Sequence, residues 1–439
     1  MEQYVQMKNS GVPWLLDIPE SWGIRALFQL VDQVKNKNKD LSERNLLSLS
    51  YGRIKRKDIN SSDGLLPESF DGYNIIEAND IVLRLTDLQN DHTSLRVGLS
   101  HERGIITSAY TTLRPSALVW PEYLYYALHA YDLIKGFYGM GSGVRQGLNY
   151  DEVKTIKVPF PSLDEQQIIA EFLDDQVSQI DSIIAEVQVS IEEYKQWKKA
   201  SISKAATRGI NDSVQMKESG IENLGRIPTT YNIASVRWLL SLLTDYTANG
   251  SFGDLAKNVE YKETIDYARL VRLTDLRVNF ENEGVYVDKH AYDYLSKSSL
   301  FGGEILLANV GAYAGLALEM PKVDFNATLG PNMFLIKTDD SKWSQHFAYY
   351  SLIGIFSYDQ LKQKASNTTA QPKLNKDNLK SVKVVLPPLD EQYKISAYLD
   401  SQCEAIDTLI REKTCLVEDL EMYKRSLIYE VVTGKRKVV

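Results

Sequence analysis

The sequence predicts an α+β protein built twice over: two duplicated globular domains of small mixed β-sheets and helices, joined by two long helices. These helices are expected to pair as an antiparallel coiled coil with pseudo-two-fold symmetry. Three observations lead there. "PSLDEQQIIAEFLDDQVSQIDSII", beginning at Pro161, returns as "PPLDEQYKISAYLDSQCEAIDTLI" at Pro387, and residues 161–207 align with 387–433 without a gap at 17 identical positions of 47. Agreement over that length marks an internal duplication. Apolar residues in both copies step alternately by four and three, the spacing of a coiled-coil seam. Between the repeats, each copy runs through the same succession of short β-like runs and an aromatic-rich helical stretch. A Gly/Ser/Asn/Thr loop and a Val/Ile-rich strand complete it.

In chain order these become a first globule over 1–160, a first repeated helix over 161–209, a second globule over 210–386, and a second repeated helix with a basic tail over 387–439. Each globule opens on a related lead-in, Lys8–Pro19 and Lys217–Pro228, on the pattern KxSGxxxLxxIP. The β-like runs are Ile81–Leu85 and Ile105–Leu113 in the first copy and Glu304–Ala308 and Met333–Lys337 in the second. The helical stretches are Pro121–Phe137 and Ser344–Leu361. Tyr125, Tyr126, Tyr349 and Tyr350 lie on them at helical spacing and read as core. A Leu-Asn pair, Leu148–Asn149 and Leu374–Asn375, precedes each long helix. The first seam is Leu173, Val177, Ile180, Ile184, Val187 and Ile191, continued by Tyr194. The second is Leu399, Cys403, Ile406, Ile410, Val417 and Leu420. Lys413, set against the Val187 level, is a polar seam residue suited to fixing register. Proline precedes each helix, with Ser162 or Asp164 as N-cap of the first. Its acidic front and basic end suit the helix dipole, and its length is roughly 65 Å at 1.5 Å per residue.

Composition narrows the function classes. Hydrophobic residues make up 44% and charged residues 25%, as in an ordinary globular protein. No apolar run approaches a membrane span and MEQYVQMKNS has no signal-peptide core, which leaves the cytoplasm as the expected location and no membrane partner. Cys403 and Cys415, twelve positions apart on one helix, cannot bridge each other and read as reduced interior or seam residues. The net charge of −8 weighs against nucleic acid. Its distribution weighs back: the two helix segments carry −6 of it, and the globules are near neutral and free to hold a basic face.

No catalytic motif emerges. GMGSG at Gly139–Gly143 lacks dinucleotide-loop spacing. There is no P-loop, no HExxH, no Asn-Pro-Pro-aromatic run and no metal-ligand spacing, so no metal is expected. RLTDL occurs at Arg84–Leu88 and Arg272–Leu276, but 188 residues apart rather than the 209 to 226 of the true duplication, and reads as coincidence.

The whole arrangement resembles the specificity subunit of type I restriction–modification systems. The paired proline-leucine-DEQ helix starts (Pro161–Gln166, Pro387–Gln392), the two lead-ins and the two Leu-Asn turns carry the likeness over nearly the full chain. Ser162 stands where the second copy has Pro388. The resemblance implies that each globule is a target recognition domain reading one half of a split duplex DNA site. The helices would be the spacer that also docks two methyltransferase subunits. S-adenosylmethionine would then belong to those partners, ATP and Mg to the restriction/translocase subunits, and no cofactor or catalysis to this chain. Duplication suits the local two-fold symmetry of duplex DNA, and differing globules suit an asymmetric site. The rival from another class is a coiled-coil adaptor with two protein-binding heads.

Candidate DNA contacts are basic and amide side chains on loops. In the first globule these are Lys35, Lys37, Arg53, Lys55, Arg56, Arg84, Ser142, Arg145 and Gln146. In the second they are Asn249, Ser251, Arg272, Asn309, Tyr313, Lys364, Ser366, Asn367, Thr368 and Gln371. The loops before the long helices are favoured, because they hold the same place in both copies yet differ in sequence.

Overall fold

Each long helix begins where a strand meets proline. In the computed structural model, which describes residues 4–60, 67, 69–91, 93, 95–140, 147–365 and 371–438, Lys157–Phe160 runs into the helix Leu163–Arg208 and Lys383–Leu386 into the helix Leu389–Val432. Ser162 is the N-cap, its hydroxyl accepting from the Glu165 amide at 3.4 Å. The reciprocal half of a capping box is missing, because the Glu165 carboxylate is taken by the Tyr4 hydroxyl at 2.6 Å. Glu391 accepts in the same way from Tyr231. Gln166 and Gln392 are wholly buried. Gln392 accepts from the Ser344 amide and donates to the Lys342 and Pro387 carbonyls, each at 2.9 Å. Gln166 likewise accepts from the Trp120 amide at 2.8 Å and donates to the Pro161 carbonyl. The DEQ motif is therefore a joint: its last two residues bolt the helix start to the globule before it.

The chain divides into two units, residues 1–188 with 414–439, and residues 189–413. In the first, Ile169, Ala170, Leu173, Ile180 and Ile184 share a core with Leu427, Ile428, Val431 and Val432, and half-buried Val177, Val417 and Leu420 lie against it. In the second, Ile202, Ala205 and Ala206 share a core with Ile395, Leu399 and Cys403. The start of each long helix thus meets the end of the other, an antiparallel pairing. Ile406 is buried too, while Val187, Ile191 and Ile410 are half-buried.

A duplicated ion pair accompanies the seam. Asp181 meets Lys424 at 2.8 Å, and Asp407 meets Lys198 at 2.6 Å. Asp407 is the twin of Asp181, and Lys424 of Lys198, each 226 positions on. Half-exposed pairs of this kind contribute little stability. A register shifted by one turn would part both, so their use is alignment. Within the second unit, the Lys413 ammonium lies over the Tyr194 ring, 5.6 Å from the centroid. Cys415 departs from expectation: it is exposed, off the seam, while Cys403 is buried.

The globules repeat one another more fully than their sequences do. The first holds an antiparallel sheet in the order Val31–Gln33, Thr111–Pro115, Ile81–Leu83, Val97–Leu99. The second holds the same sheet as Leu240–Asp245, Met333–Thr338, Ile305–Ala308, Ala317–Glu319. A second sheet follows suit. In the later copy Tyr286–Val287, Ala268–Val271, Asn326–Leu329 and Ser299–Leu300 are neighbours in that order, the middle pair parallel. In the earlier copy Leu47–Ser50 pairs with Arg53–Arg56, and Gly104–Ile106 with Asn74–Ile76. One parallel bridge, Leu46 to Ile105, joins the two strand pairs in the same order. The run Ile105–Leu113 is consequently not one strand. It turns at Thr107–Tyr110, where the chain leaves one sheet for the other. Ser344–Leu361 is likewise two helices, Gln345–Ile353 and Ile355–Ala365, broken at an extended Gly354. Pro121–Leu133 ends early, at a left-handed Lys135. Tyr126 and Tyr350 are buried in the cores, each donating to a long-helix carboxylate at 2.7 Å (Asp174 and Asp400), and Tyr125 and Tyr349 lie against the same cores.

Two predictions follow from these joints. Gln392→Ala orphans two buried backbone groups, the Ser344 amide and the Pro387 carbonyl, and one partly buried, the Lys342 carbonyl; it should cost about 2–4 kcal/mol, read as a lowered denaturant midpoint, and a loss below about 1 kcal/mol would show that the joint is not holding the helix. The second concerns two histidines that titrate in opposite senses. Burial, reinforced by Lys424 and Arg425, lowers His129 from 6.5 to about 4. The unfolded chain therefore takes up this proton first, and the first unit should lose stability as the pH falls from 6.5 towards 4. Hydrogen bonds with Glu319 and then Asp400 raise His346 to about 9 against the effect of burial. Its contribution is complete below 6.5 and is lost as the pH rises through about 9. NMR titration of the two imidazoles is the check, and midpoints near 6.5 for both would contradict these environments.

Candidate nucleic-acid interface

The Leu-Asn turn places one corner of each globule. Asn149 caps the short helix Tyr150–Val153 and Asn375 caps Lys376–Lys380. Just before them the Leu148 amide donates to the Leu85 carbonyl, and the Leu374 amide to the Asn309 carbonyl, both at 2.8 Å. The loop that follows the second central strand, after Ile81–Leu83 or Ile305–Ala308, is thereby laid against the loop preceding the long helix. Arg84 sits at this corner in the first copy and Asn309 to Tyr313 in the second.

In the second globule the corner is well knitted. The Gly311 amide donates to the Pro372 carbonyl at 2.9 Å, Val310 bridges to Lys373, and the Lys362 ammonium donates to the Ala312 carbonyl. Gly311 has a φ of +86°, which favours glycine, and a Cβ there would lie 3.5 Å from the Gln371 amide nitrogen. The Lys364 carbonyl accepts from Asn378 and the neighbouring Ala365 carbonyl from the Lys373 amide. The structure therefore gathers Asn309, Tyr313, Lys364 and Gln371. A cavity of about 720 Å³ opens beside them, lined in part by Tyr246, Phe252, Tyr261 and Asn309.

In the first globule the corresponding loop is wrapped around one side chain. Arg96 is wholly buried. Its guanidinium donates to the Thr86 carbonyl at 2.7 Å, to the carbonyls of Asp87 and Asp91, and to the Tyr138 hydroxyl at 3.2 Å. Arg84, half-buried, reaches the Asp91 carboxylate at 3.8 Å. A buried cation is tolerated only when so satisfied, and here the carbonyls of Thr86, Asp87 and Asp91 do much of it.

The remaining candidates are scattered or already engaged. Lys35 and Lys55 are exposed, Lys55 on the hairpin strand Arg53–Arg56. Lys37 donates to the Gly72 carbonyl at 2.8 Å. Arg53 is ion-paired with Asp181, and Arg56 grips Glu102 through its Nε at 2.8 Å. Asn249 is a structural lock, bonded to Tyr246, Ser298 and Lys297. Ser251 caps the helix Phe252–Asn258. Arg272 is held by Asp275 through Nε and a terminal nitrogen at 3.2 Å each. Burial alone would raise the Asp275 carboxyl, but hydrogen bonds from Arg272, Asn282 and Arg269 outweigh it and hold it below the usual carboxylate value. Ser142, Arg145, Gln146, Ser366, Asn367 and Thr368 lie outside the described residues, as do Gly141 to Gly143. The two RLTDL runs are not equivalent: the first follows Ile81–Leu83, the second follows Ala268–Val271, whose counterpart is Leu47–Ser50. Sequence reasoning missed Arg96, Asp275 and Arg277. Arg96 and Asp275 look like any loop charge until their burial is known; Arg277, directly after the second RLTDL, could have been found by extending that basic run.

Comparison with known proteins bears on both globules. A family model described as the type I restriction modification DNA specificity domain matches residues 19–193 and again 255–417. The chain belongs to this family. Among similar proteins, the type I restriction enzyme MjaVIII specificity subunit of Methanocaldococcus jannaschii is 24% identical over 99% of this chain and 98% of its own length. The StySPI specificity subunit of Salmonella potsdam is 22% identical over 74% and 67%. A chain solved in work on complex assembly and conformational transition of the type I R-M system shares the fold with a TM-score of 0.67 at 12% identity, covering 94% of this chain and 98% of that one. The HsdS subunit of Thermoanaerobacter tengcongensis does so at 0.50 and 12%, covering 95% and 98%. Among the described residues of this specificity-family chain, no helix is long and apolar enough to cross a membrane.

Arg96→Met tests the loop's construction. It should destabilise the first unit by about 3 kcal/mol. Amide exchange at residues 84–91 should accelerate while Val97–Leu99 stays protected; uniform protection would mean that Arg96 is not what orders the loop.

Proposed function

We propose that this chain is the DNA-recognition subunit of a type I restriction–modification assembly and reads a bipartite, asymmetric duplex site, one half per globule. One observation carries the reading beyond family membership. The joints are repeated side chain for side chain in both units (Gln166 and Gln392, Asp174 and Asp400, Asp181 and Asp407), whereas the corners that present basic and amide groups differ. A constant frame with changeable corners is what a reader of two different half-sites needs. Lys and Arg at those corners would neutralise phosphates, and Arg, Asn and Gln would pair with base edges. The paired helices would set the distance between half-sites and dock two methyltransferase subunits. Methyl transfer with S-adenosylmethionine, and restriction and translocation with ATP and Mg, are assigned to partner subunits, the chemistry on the adenine requiring its extrusion from the duplex. This chain would supply sequence information and no catalysis.

Exchange of residues 20–150 for the matching segment of a relative is the test, in an assembly with the methyltransferase partner and with modification-sensitive sequencing as readout. One half of the methylated motif should change and the other persist. Change in both halves or in neither would refute one globule per half-site. A wild-type assembly that leaves no motif on DNA would favour the protein-binding adaptor instead.

A further inference from the structure

The second globule carries an arginine prepared for recognition at the corner just described. Arg277 is the last residue of the short helix Leu273–Arg277, and its guanidinium carbon lies 4.3 Å from the centroid of the Tyr313 ring. Tyr313 belongs to the loop tied to Pro372 and Lys373 and is 44% exposed; Arg277 is exposed as well. The helix beneath is anchored by the buried Asp275 carboxylate, which binds Arg269, Arg272 and Asn282. Arg269, Arg272 and Arg226 commit their guanidinium groups to Asp275, Asp275 and Glu218 respectively. Among the described residues Arg277 makes no ion pair or side-chain hydrogen bond; its one fixed partner is the aromatic face. Stacking holds a guanidinium plane in place while leaving its five edge donors uncommitted. That combination, a guanidinium held over a ring with its donors free, suits bidentate pairing with the O6 and N7 acceptors of guanine in the major groove. A phosphate-binding cation needs no such platform, because charge alone suffices.

Resting on the reading of the chain as a DNA-recognition subunit, we infer that Arg277, steadied by Tyr313, is a specificity-determining residue that reads a guanine in the half-site of the second globule. The experiment uses the full chain assembled with its methyltransferase partner. Arg277→Ala, Arg277→Lys and Tyr313→Leu are compared with wild type by modification-sensitive sequencing and by binding to the wild-type site across a salt series. Arg277→Ala should weaken cognate binding roughly ten- to hundredfold. It should also relax one guanine position in a single half of the motif, leaving the other half unchanged. Arg277→Lys should fail likewise, since an ammonium lacks the fork, and Tyr313→Leu should show a smaller relaxation at the same position. Unfolding midpoints matching wild type are expected for the Arg277 variants, whose side chain is exposed. A uniform loss restored by lysine, with a shallower salt dependence in the alanine variant, would make Arg277 a phosphate contact and overturn the inference. An unchanged motif and affinity in all three variants would overturn it while leaving the wider reading intact. Absence of any wild-type motif would overturn both.

Discussion

The fold hangs on a buried amide used twice. Gln166 and Gln392 each accept a backbone N–H from the segment that opens a globule's aromatic helix and donate to the carbonyl of the proline before a long helix. A glutamine can bind a donor and an acceptor at once, and both its ends are satisfied here without burying a charge. The direction in which each long helix leaves its globule follows from that joint. The neighbouring glutamate, taken by Tyr4 or Tyr231, adds a second fixing point. Seams and ion pairs act downstream of an orientation already set.

Much of this architecture was written in the sequence because it was written twice. A duplicated DEQ, a duplicated Leu-Asn turn and a duplicated four-three apolar step each have a local physical meaning, and repetition removes the doubt that attends any single motif. The second sheet was not legible. Its two copies share strand order and the parallel crossing but almost no residues, because a short buried strand such as Asn74–Ile76 or Ser299–Leu300 asks only for apolar or small side chains. Sequence could not show that Ile105–Leu113 splits between sheets, since its Ile and Thr residues suit a strand in both pieces and only their partners differ. The candidate site was half legible. Loop position pointed to Asn309, Tyr313 and Gln371, but composition could not separate an arginine bound to carbonyls, as Arg96 is, from one with its donors free.

Where the second copy uses glycine turns and a cross-loop bridge to shape its corner, the first uses a buried guanidinium. Two different solutions at equivalent places fit a frame that tolerates replacement of what it displays. The two loops of each corner are joined through backbone groups: Leu148 to Leu85, and Leu374 to Asn309. Backbone contacts do not depend on side-chain identity, so this loop-to-loop contact recurs in both copies although the residues displayed differ.

Charge follows the same division. The helix segments hold most of the net −8, where carboxylates serve as acceptors for Tyr126, Tyr350, Lys198 and Lys424. The helix segments carry a net −6, an excess of carboxylates that disfavours nonspecific adhesion of phosphate along them. Attraction is left to the near-neutral globules, which carry exposed cations such as Lys35, Lys55 and Arg277. Beyond about 10 Å at ordinary ionic strength the helix charges are largely screened. An acidic total is therefore compatible with a chain of a DNA specificity family, and the sign of that total says less than the placement of a few uncommitted cations.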